Sequence, residues 1–403
     1  EKGAKIIVAD PRLIETARIA DIYLPIKNGC NLAFMNAFAN VIINEGLEDR
    51  AFIEAHTTGF DEWWEVIKKY TPESVADITG IDPETFRKAV RMYATSENSI
   101  IGWGMGVTQQ RQGVKTVHQI AAIACIANQI GRDNAGLAPV RGQNNVQGSC
   151  DMGMWPDLYP GYQSVKDPEV RAKFAKAWGV PEEKLSLEPG FKLTDLPHGV
   201  KEGKIHAFYN FGEDPLQTEP DSADMKETLE NCEFVISQDI FMTQTTAYAD
   251  VVFPGTSWGE HDGVFSASDR TFQRFTAAVP PKGECKHDWQ IFSELSTRMG
   301  YPMHYEDTKE IWDEVRELCP QFYGATYEKM EGVGHAQWPI PTLECPGTPT
   351  LFKGGKFNKP DGKARLIADE FIEPTELPDG EFPLVLCTVR EVGHYSCRSM
   401  TGN

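Results

Sequence analysis

The chain has 403 residues, enough for two to four domains, and its 41% hydrophobic and 24% charged residues are typical of a globular protein. Its formal net charge of −20 argues against nucleic acid or an anionic membrane surface as a partner. The sequence contains no apolar run near the roughly 18 residues of a membrane span, no secretory signal at its start and no CxxC pattern for zinc or iron–sulfur clusters. Nine scattered cysteines predict reduced thiols and a cytoplasmic location.

The first predicted strand ends at Asp10, where Pro11 stops it. Ligands bind at the carboxyl ends of strands in open α/β sheets, so Asp10 is a candidate to contact a base or ribose. Arg12 is placed to contact a phosphate of the same ligand. The open alternative is that Asp10 caps a helix at residues 12–20.

A second extended segment, at residues 20–27, ends at Asn28 and Gly29. Apolar periodicity then predicts helices at residues 31–46, 49–57, 60–70 and 82–94. Strand and helix therefore alternate from the start of the chain.

A glycine-rich stretch follows a predicted strand at residues 99–101 and reads G-x-G-x-G over residues 102–106. It lacks the third-glycine spacing of the dinucleotide fingerprint, and we expect no helix until several residues later. Its glycines still let a ligand approach the backbone closely. The next helix, at residues 114–130, is apolar nearly all round and should be buried.

Residues 138–148 form an amide-rich loop that holds Arg141, two glutamines and two asparagines between glycines. Side-chain amides offer donors and acceptors without net charge, which suits the edge of a flat heterocycle. The guanidinium fork of Arg141 matches a carboxylate or a phosphate. A polar surface loop without a ligand is the open alternative.

A second α/β run follows this loop. Strands are predicted at residues 205–210, 233–237 and 250–253, alternating with helices at 167–178, 221–230 and 243–248. Two such sets predict an α/β fold with two doubly wound αβα domains facing each other around a cleft, with Arg141 at their junction. Polar residues at several strand ends imply one large, extended, polar ligand. Further helices are predicted at residues 288–299 and 309–318. Rising proline and glycine content predicts irregular structure or a domain connection at residues 338–378, and residues 382–388 are expected to begin a new β unit.

One motif suggests a different class of enzyme. Residues 255–259 match G-x-S-x-G, the nucleophile elbow of serine hydrolases, with Ser257 as the nucleophile. The elbow requires a helix directly afterwards, and Gly259 and Gly263 make that context poor. His261 lacks a second His or Cys at metal-ligand spacing, which favours an ordinary loop histidine.

The motifs together resemble the catalytic subunits of molybdenum- or tungsten-dependent formate dehydrogenases in the molybdopterin oxidoreductase family, most closely the soluble formate hydrogenlyase type. The resemblance covers nearly the whole chain in order. It is carried by KIIVADPR (5–12), GMGVTQ (104–109), VRGQNNVQGSCDMG (140–153), YPGYQ (159–163), GEDPLQT (212–218), QDIFMT (238–243), SWGEHDGVF (257–265) and VREVGHYSCRSMTGN (389–403).

The resemblance implies two guanine-dinucleotide pterins around one Mo or W ion, with Arg141 beside the metal as the residue that holds formate. One nucleotide end would contact Asp10, Arg12, Lys27, Asn28 and Gly29. The pterin region would meet Met105, Gly106, Gln109, Gln143 and Asn144. The second dinucleotide would meet Gly212, Glu213, Asp214, Gln238 and Asp239. Independently of the resemblance, Asp269 lies in a polar loop and is a candidate contact for a phosphate or a base. Arg390, Glu391, His394 and Ser396 would close over the cofactor.

The resemblance also divides the chain into four parts. Residues 1–143 would form the first dinucleotide-binding domain, and residues 144–255 with 285–306 the second. Residues 256–284 with 307–345 would belong to a domain near the iron–sulfur cluster, and residues 346–403 to a connection and the start of a C-terminal β-barrel domain. The 4Fe–4S ligands, and the cysteine or selenocysteine that binds the metal, are expected N-terminal to Glu1, so no metal ligand is assigned within the chain.

The expected activity is reversible oxidation of formate to CO2, with two electrons leaving through the 4Fe–4S cluster. An iron–sulfur electron-transfer subunit, and a hydrogenase module, are the expected protein partners. The alternatives are another enzyme of the same family, such as a nitrate reductase-like one, and a cofactor-free structural subunit of the same fold.

Overall fold

The computed structural model describes residues 3–332, 334–389 and 393–395. They fall into two units. Unit 1 comprises residues 3–141 and 350–389, and unit 2 comprises residues 142–332, 334–349 and 393–395. Along the chain, the first boundary therefore falls inside the amide-rich loop, directly after Arg141. The finer division into four parts remains a prediction.

Unit 1 alternates short strands with helices, as the sequence predicts. Its strands are β1 (Ile7–Ala9), β2 (Ile22–Leu24), β3 (Thr57–Thr58), β4 (Ile100–Trp103) and β5 (Gly136–Pro139). Its helices are α1 (Glu15–Arg18), α2 (Asn31–Asn44), α3 (Arg50–His56), α4 (Phe60–Ile67), α5 (Ala76–Thr79), α6 (Pro83–Ala94), α7 (Met105–Thr108) and α8 (Gly113–Ile126). Strand β1 pairs with β2, and β4 with β5, both in parallel.

The core of unit 1 forms where the two most apolar helices, α2 and α8, pack against each other and α2 also packs on α6. Trp63, Phe86 and Ile123 are almost fully buried there. Local signals set the helix starts: the Asp49 side chain accepts a hydrogen bond from the backbone of α3, and Asp82 does the same for α6, which has Pro83 in its first turn.

Unit 2 contains a three-stranded parallel sheet and a separate antiparallel sheet. Its strands are β6 (Leu158–Tyr159), β7 (Gln163–Ser164), β8 (Ala207–Phe211), β9 (Phe234–Asp239), β10 (Val251–Pro254), β11 (Gly263–Ser266), β12 (Thr271–Phe275) and β13 (Ala336–Gln337). Its helices are α9 (Val146–Asp151), α10 (Pro168–Trp178), α11 (Leu196–Lys201), α12 (Pro215–Thr218), α13 (Ser222–Asn231), α14 (Asp288–Arg298) and α15 (Thr308–Leu318). The strand orders are β10-β9-β8, parallel, and β11-β12-β13, antiparallel.

After unit 2 the chain returns to unit 1. Strand β14 (Ala364–Arg365) pairs in parallel with β3. The following backbone is held by buried side-chain amides of unit 1: Gln119 donates to the carbonyl of Ile367 at 2.8 Å, and Gln112 to that of Glu370 at 2.9 Å. We call residues 364–374 the return segment. The sequence predicts irregular structure here, but not the elements to which this segment binds.

Several expectations about local structure were wrong. The helix predicted at residues 12–20 exists only as α1, Glu15–Arg18. A helix, α7, starts directly after Gly104, where none was expected. Residues 382–388, expected to begin a β unit, form no strand, and Leu384 and Leu386 are 87% and 93% exposed. Among the helices of the described ranges, none is long and apolar enough to cross a membrane.

Candidate cofactor-binding site

The end of β1 is a turn that Asp10 holds together. Its Oδ1 accepts a hydrogen bond from the backbone N–H of Arg12 at 2.8 Å, and its carbonyl accepts one from the Tyr23 hydroxyl at 3.0 Å. Helix α1 begins later, with Ile14 at its N-cap and no side-chain cap. The capping alternative for Asp10 is therefore wrong, and Asp10 and exposed Arg12 lie at the strand end, where the sequence placed them.

The loop after β2 meets the glycine-rich loop after β4. Lys27 is held by its backbone and by its side chain. Its backbone N–H donates to the carbonyl of Thr79, and its Nζ donates to the carbonyl of Asp77 at 2.8 Å. Gly29 has a φ of +81°, in the left-handed region that favours glycine. Two residues later, Asn31 Nδ2 donates to the carbonyl of Gly106 at 3.2 Å. Two predicted nucleotide- and pterin-binding loops are thus brought together within unit 1.

Parallel pairing of β4 and β5 brings a third loop beside them. Trp103 lies opposite Pro139, and the N–H of Val140 donates to the carbonyl of Trp103 at 2.8 Å. Both strands therefore end at the same edge of the sheet. The chain continues from β4 to Met105, Gly106 and Gln109, and from β5 to Arg141. All four residues are exposed.

Gly106 leaves room for a ligand. A β-carbon built on it would meet no atom within 4 Å, so the backbone there is open to close approach. The amide-rich loop continues into unit 2 with partly buried Gln143 and exposed Asn144.

In unit 2, the ends of β8 and β9 are joined through Gln238. The N–H of Gly212 donates to the carbonyl of Gln238 at 2.9 Å. The buried Gln238 amide accepts from the Tyr209 hydroxyl at 2.5 Å and donates to Asp288 Oδ1 at 2.7 Å. Sequence reasoning missed Asp288, although an acidic residue at the start of a predicted helix after two polar strand ends was an available signal.

Three carboxyl groups lie near one another at this edge. Burial raises the pKa of Glu213, and neighbouring Asp239 raises it further, although Glu213 remains accessible to solvent. Burial also raises the pKa of Asp239 and of Asp288. Desolvated carboxylates of this kind are stabilised by a ligand that is rich in hydrogen-bond donors, such as the N–H edge of a guanine.

Asp214 differs from its neighbours because its side chain is committed to the fold. It is fully buried, and its Oδ1 accepts from the backbone N–H of Thr245 at 3.0 Å and from the Thr245 hydroxyl at 2.7 Å. These bonds tie the end of β8 to the 3-10 segment Thr245–Tyr248, which replaces the helix expected at 243–248. The direct cofactor contact expected of Asp214 remains a prediction.

The other candidates have separate environments. Asp269 Oδ1 accepts from the N–H of Thr271 at 3.0 Å, in the turn between β11 and β12, and adjacent Arg270 donates to backbone carbonyls that include that of Thr348, at 3.2 Å. His394 lies in the short described range 393–395. The remaining C-terminal candidates, Arg390, Glu391 and Ser396, lie outside the described residues.

Ser257 lacks the setting of a nucleophile elbow. After β10 the chain continues as turns and strands, and the next helix begins only at Asp288. The hydrolase alternative is therefore wrong. His261 Nδ1 lies 3.0 Å from the carbonyl of Ser257. Over the ranges that the structure describes, no group of three or more His, Cys, Asp or Glu is placed to hold a metal ion.

Comparison with known proteins decides the family. A family model described as "Molybdopterin oxidoreductase" matches residues 1–298. The chain belongs to the molybdopterin oxidoreductase family. The resemblance inferred from the motifs is thereby confirmed, and membership implies a molybdopterin cofactor.

Individual relatives of this molybdopterin oxidoreductase include proteins named as formate dehydrogenases. The whole chain is 56% identical to formate dehydrogenase H of Escherichia coli and covers 56% of that protein. It is 40% identical to the alpha subunit of an F420-dependent formate dehydrogenase from Methanocaldococcus jannaschii and covers 59% of it. The chain thus spans a little over half the length of these relatives. Among solved structures, acetylene hydratase from Pelobacter acetylenicus matches 90% of this chain and 51% of its own, with a TM-score of 0.67 and 25% identity.

The residues present fit the chemistry of a molybdopterin cofactor. The loops at the strand ends of unit 1 combine an exposed Arg12 for a phosphate with open backbone at Gly106 for a flat ring. Unit 2 supplies the carboxyl groups of Glu213, Asp239 and Asp288, of which the last two are partly buried, for a donor-rich base.

Proposed function

We propose that the polypeptide containing this chain is the catalytic subunit of a molybdenum or tungsten formate dehydrogenase. The supporting observation is the 56% identity to formate dehydrogenase H, which extends over all 403 residues. A second relative named as a formate dehydrogenase is 40% identical over the full chain. The presence of Arg141 beside the loops that fit a pterin agrees with a small anionic substrate.

In this proposal, each unit holds one guanine-dinucleotide pterin. Unit 1 binds the first nucleotide with the residues at its strand ends: Asp10, Arg12, Lys27, Asn28 and Gly29. Unit 2 binds the second with Gly212, Glu213, Gln238, Asp239 and the Asp288 carboxyl group that Gln238 contacts. Met105, Gly106, Gln109, Gln143 and Asn144 face the pterin rings, and Asp214 and Asp269 support their loops from the protein side.

Arg141 acts on the substrate. Its guanidinium holds the formate carboxylate through two parallel N–H···O bonds, which fix both the position and the direction of the C–H bond. The fixed positive charge also attracts the formate anion into the site. In the net reaction, formate loses two electrons and one proton to give CO2, and the molybdopterin-coordinated metal, when bound, would supply the chemistry that accepts the two electrons.

The proposal extends to the electron path and the partners. Electrons leave through a 4Fe–4S cluster whose ligands are not among these 403 residues, and pass to an iron–sulfur electron-transfer subunit or a hydrogenase module. The net charge of −20 supports partners other than nucleic acid. We place the protein in the cytoplasm, on the basis of its scattered cysteines.

The test is formate oxidation by the purified full-length protein with a viologen acceptor. Arg141→Ala should lower kcat/KM by about 10²–10³-fold, the usual loss for one preorganised charged donor. The kcat/KM of Arg141→Lys should lie between the values of the unmodified protein and Arg141→Ala, because an ammonium group cannot reproduce the two parallel hydrogen bonds of a guanidinium. Arg18→Ala, on the exposed surface of α1, is the matched control and should be unaffected. Formate oxidation that is unchanged in Arg141→Ala would reject the role.

A second candidate is another oxidoreductase of the same family, such as a nitrate reductase-like enzyme. The structural match to a protein named acetylene hydratase supports this second candidate, because it indicates that the same fold serves reactions other than formate oxidation. Nitrate reduction without formate oxidation by the pterin-loaded protein would decide for it. A full-length protein that purifies without any pterin would instead favour a cofactor-free structural subunit.

A further inference from the structure

A buried hydrogen-bonded cluster lies directly behind the amide-rich loop in unit 2. The carboxylate of Asp151 is fully buried; its Oδ1 accepts from Gln147 Nε2 at 2.8 Å and from the Tyr162 hydroxyl at 2.9 Å. Its Oδ2 accepts from Trp338 Nε1 at 3.2 Å. Gln147 Nε2 also donates to the Tyr162 hydroxyl oxygen at 2.9 Å. We call these four residues the Asp151 cluster.

The Asp151 cluster holds helix α9, which is too short to be stable on its own. Helix α9 has six residues and no side-chain cap at its start, and a helix of this length is not stable alone. Gln147 and Asp151 are four residues apart and therefore share one face of α9. That face is bonded to Tyr162, in the hairpin of β6 and β7, and to Trp338, which is far away in the sequence. Helix α9 thus takes its position from the rest of unit 2.

Asn145 transmits that position to the loop. It precedes α9 with a φ of +59°, in the left-handed region, and its carbonyl accepts from the N–H of Ser149 at 3.0 Å. Its Oδ1 accepts from the N–H of Ser266 at the end of β11, at 2.9 Å. A β-carbon on Gly148 would lie 2.1 Å from this Oδ1, so the arrangement requires glycine there. Asn145 is therefore held by both α9 and β11.

We propose that Asn145 and the Asp151 cluster position the Gln143–Asn144 pair that faces the pterin. None of these five residues needs to touch the ligand; they act through the backbone. Consecutive Cα atoms are about 3.8 Å apart, so fixing Asn145 confines the two residues before it to a small volume. Misplacement of a contact group by about 1 Å is enough to slow a reaction strongly. The identity of the ligand rests on the proposed function, whereas the positioning of the loop does not.

The test compares two tyrosine hydroxyls of the same hairpin in the full-length holoenzyme. Tyr162→Phe removes a donor to Asp151 and an acceptor for Gln147. Tyr159→Phe removes a hydroxyl from a ring that stacks on Phe174 at 4.5 Å and lies outside the cluster. Backbone hydrogen exchange, followed by mass spectrometry, should become about tenfold faster in peptides covering residues 142–149 in Tyr162→Phe, and should be unchanged in Tyr159→Phe.

A second pair of variants tests the transmission through Asn145. Asn145→Ala loses the Oδ1 acceptor and should accelerate exchange in the same peptides, whereas Asn145→Asp keeps an acceptor and should restore slow exchange. Formate turnover should change in the same variants: kcat should fall about tenfold in Tyr162→Phe and in Asn145→Ala. KM should change little, because Arg141 is retained.

The outcomes separate this proposal from the proposed function. Unchanged exchange at residues 142–149 in both Tyr162→Phe and Asn145→Ala would overturn the positioning role. Exchange that accelerates throughout unit 2 would also overturn it, because the cluster would then only stabilise the fold. Local acceleration in a protein that binds pterin but does not oxidise formate would support the positioning role while the proposed substrate fails.

Discussion

Replacing Asp214 should damage the fold of unit 2 more than replacing any exposed helix-capping aspartate. The buried carboxylate accepts the backbone N–H and the hydroxyl of Thr245, at 3.0 and 2.7 Å, and the N–H of Gln244 lies 3.4 Å from its Oδ2. The Thr245 hydroxyl oxygen also accepts from the N–H of Leu216 at 3.2 Å. One side chain therefore satisfies donors that connect the start of α12 to the segment after β9.

The magnitude follows from the donors that Asp214→Ala leaves buried. The backbone N–H of Thr245 loses its acceptor inside the protein, and the hydroxyl loses its strongest partner. An unsatisfied buried donor costs about 1–3 kcal/mol, and bonds to a charged acceptor are at the upper end of the range. We therefore expect a loss of about 2–4 kcal/mol in the free energy of unfolding. Asp214→Asn, which keeps one oxygen acceptor, should lose roughly half as much.

The assay is urea unfolding of the full-length protein, with hydrogen exchange of peptides from β8 and β9 to assign the loss to unit 2. Asp221→Ala is the matched control, because Asp221 is an exposed N-cap whose side chain accepts from the N–H of Asp224 at 3.0 Å. Loss of such a cap costs about 1 kcal/mol. The reasoning would be refuted if Asp214→Ala destabilised the protein no more than Asp221→Ala.

Three further predictions concern other sites. Burial raises the pKa of Glu213 in the folded protein, so on raising the pH the unfolded chain loses the Glu213 proton before the folded protein does. The free energy of unfolding of the cofactor-free protein should therefore decrease as the pH rises above about 4.5. In unfolding experiments from pH 4 to 7, Glu213→Gln should make this decrease with pH shallower. Gly106→Ala should leave the unfolding temperature unchanged but reduce bound pterin, whereas Gly113→Ala should destabilise the protein, because its β-carbon would lie 2.1 Å from a backbone carbonyl; equal effects would refute the difference. Gln112→Ala should accelerate hydrogen exchange in residues 366–373 while leaving unit 2 unchanged, since Gln112 binds the return segment at two points.

Much of the fold could be predicted from local patterns. Helix α2 was expected at residues 31–46 and spans Asn31–Asn44, and α6 was expected at 82–94 and spans Pro83–Ala94. Both have strong apolar periodicity, and α6 also has a clear cap. Local patterns failed where one side chain reorganised a turn. Asp10 holds Arg12 in a turn, which delays α1 to Glu15.

Long-range partners account for the rest. The return segment has no regular pattern of its own, and its place depends on Gln112 and Gln119, more than 200 residues away. Residues 382–388 have the composition of a strand, but a strand requires a neighbour to pair with, and composition does not supply one.

The site shows the same division. The polar strand ends could be predicted because ligand-binding loops follow parallel strands, and the structure joins Gly212 to Gln238 at such an edge. The Asp151 cluster was not predicted. Its one local signal was the spacing of Gln147 and Asp151, four residues apart; the bond from Trp338 can be seen only in the folded chain.

The most direct test of the account is to count guanine nucleotides released by acid hydrolysis from the purified full-length protein. If unit 1 and unit 2 each hold one guanine-dinucleotide pterin, two GMP should be released per chain, together with one molybdenum or tungsten ion. Release of one GMP or none from metal-loaded protein would contradict the assignment of a nucleotide to each unit.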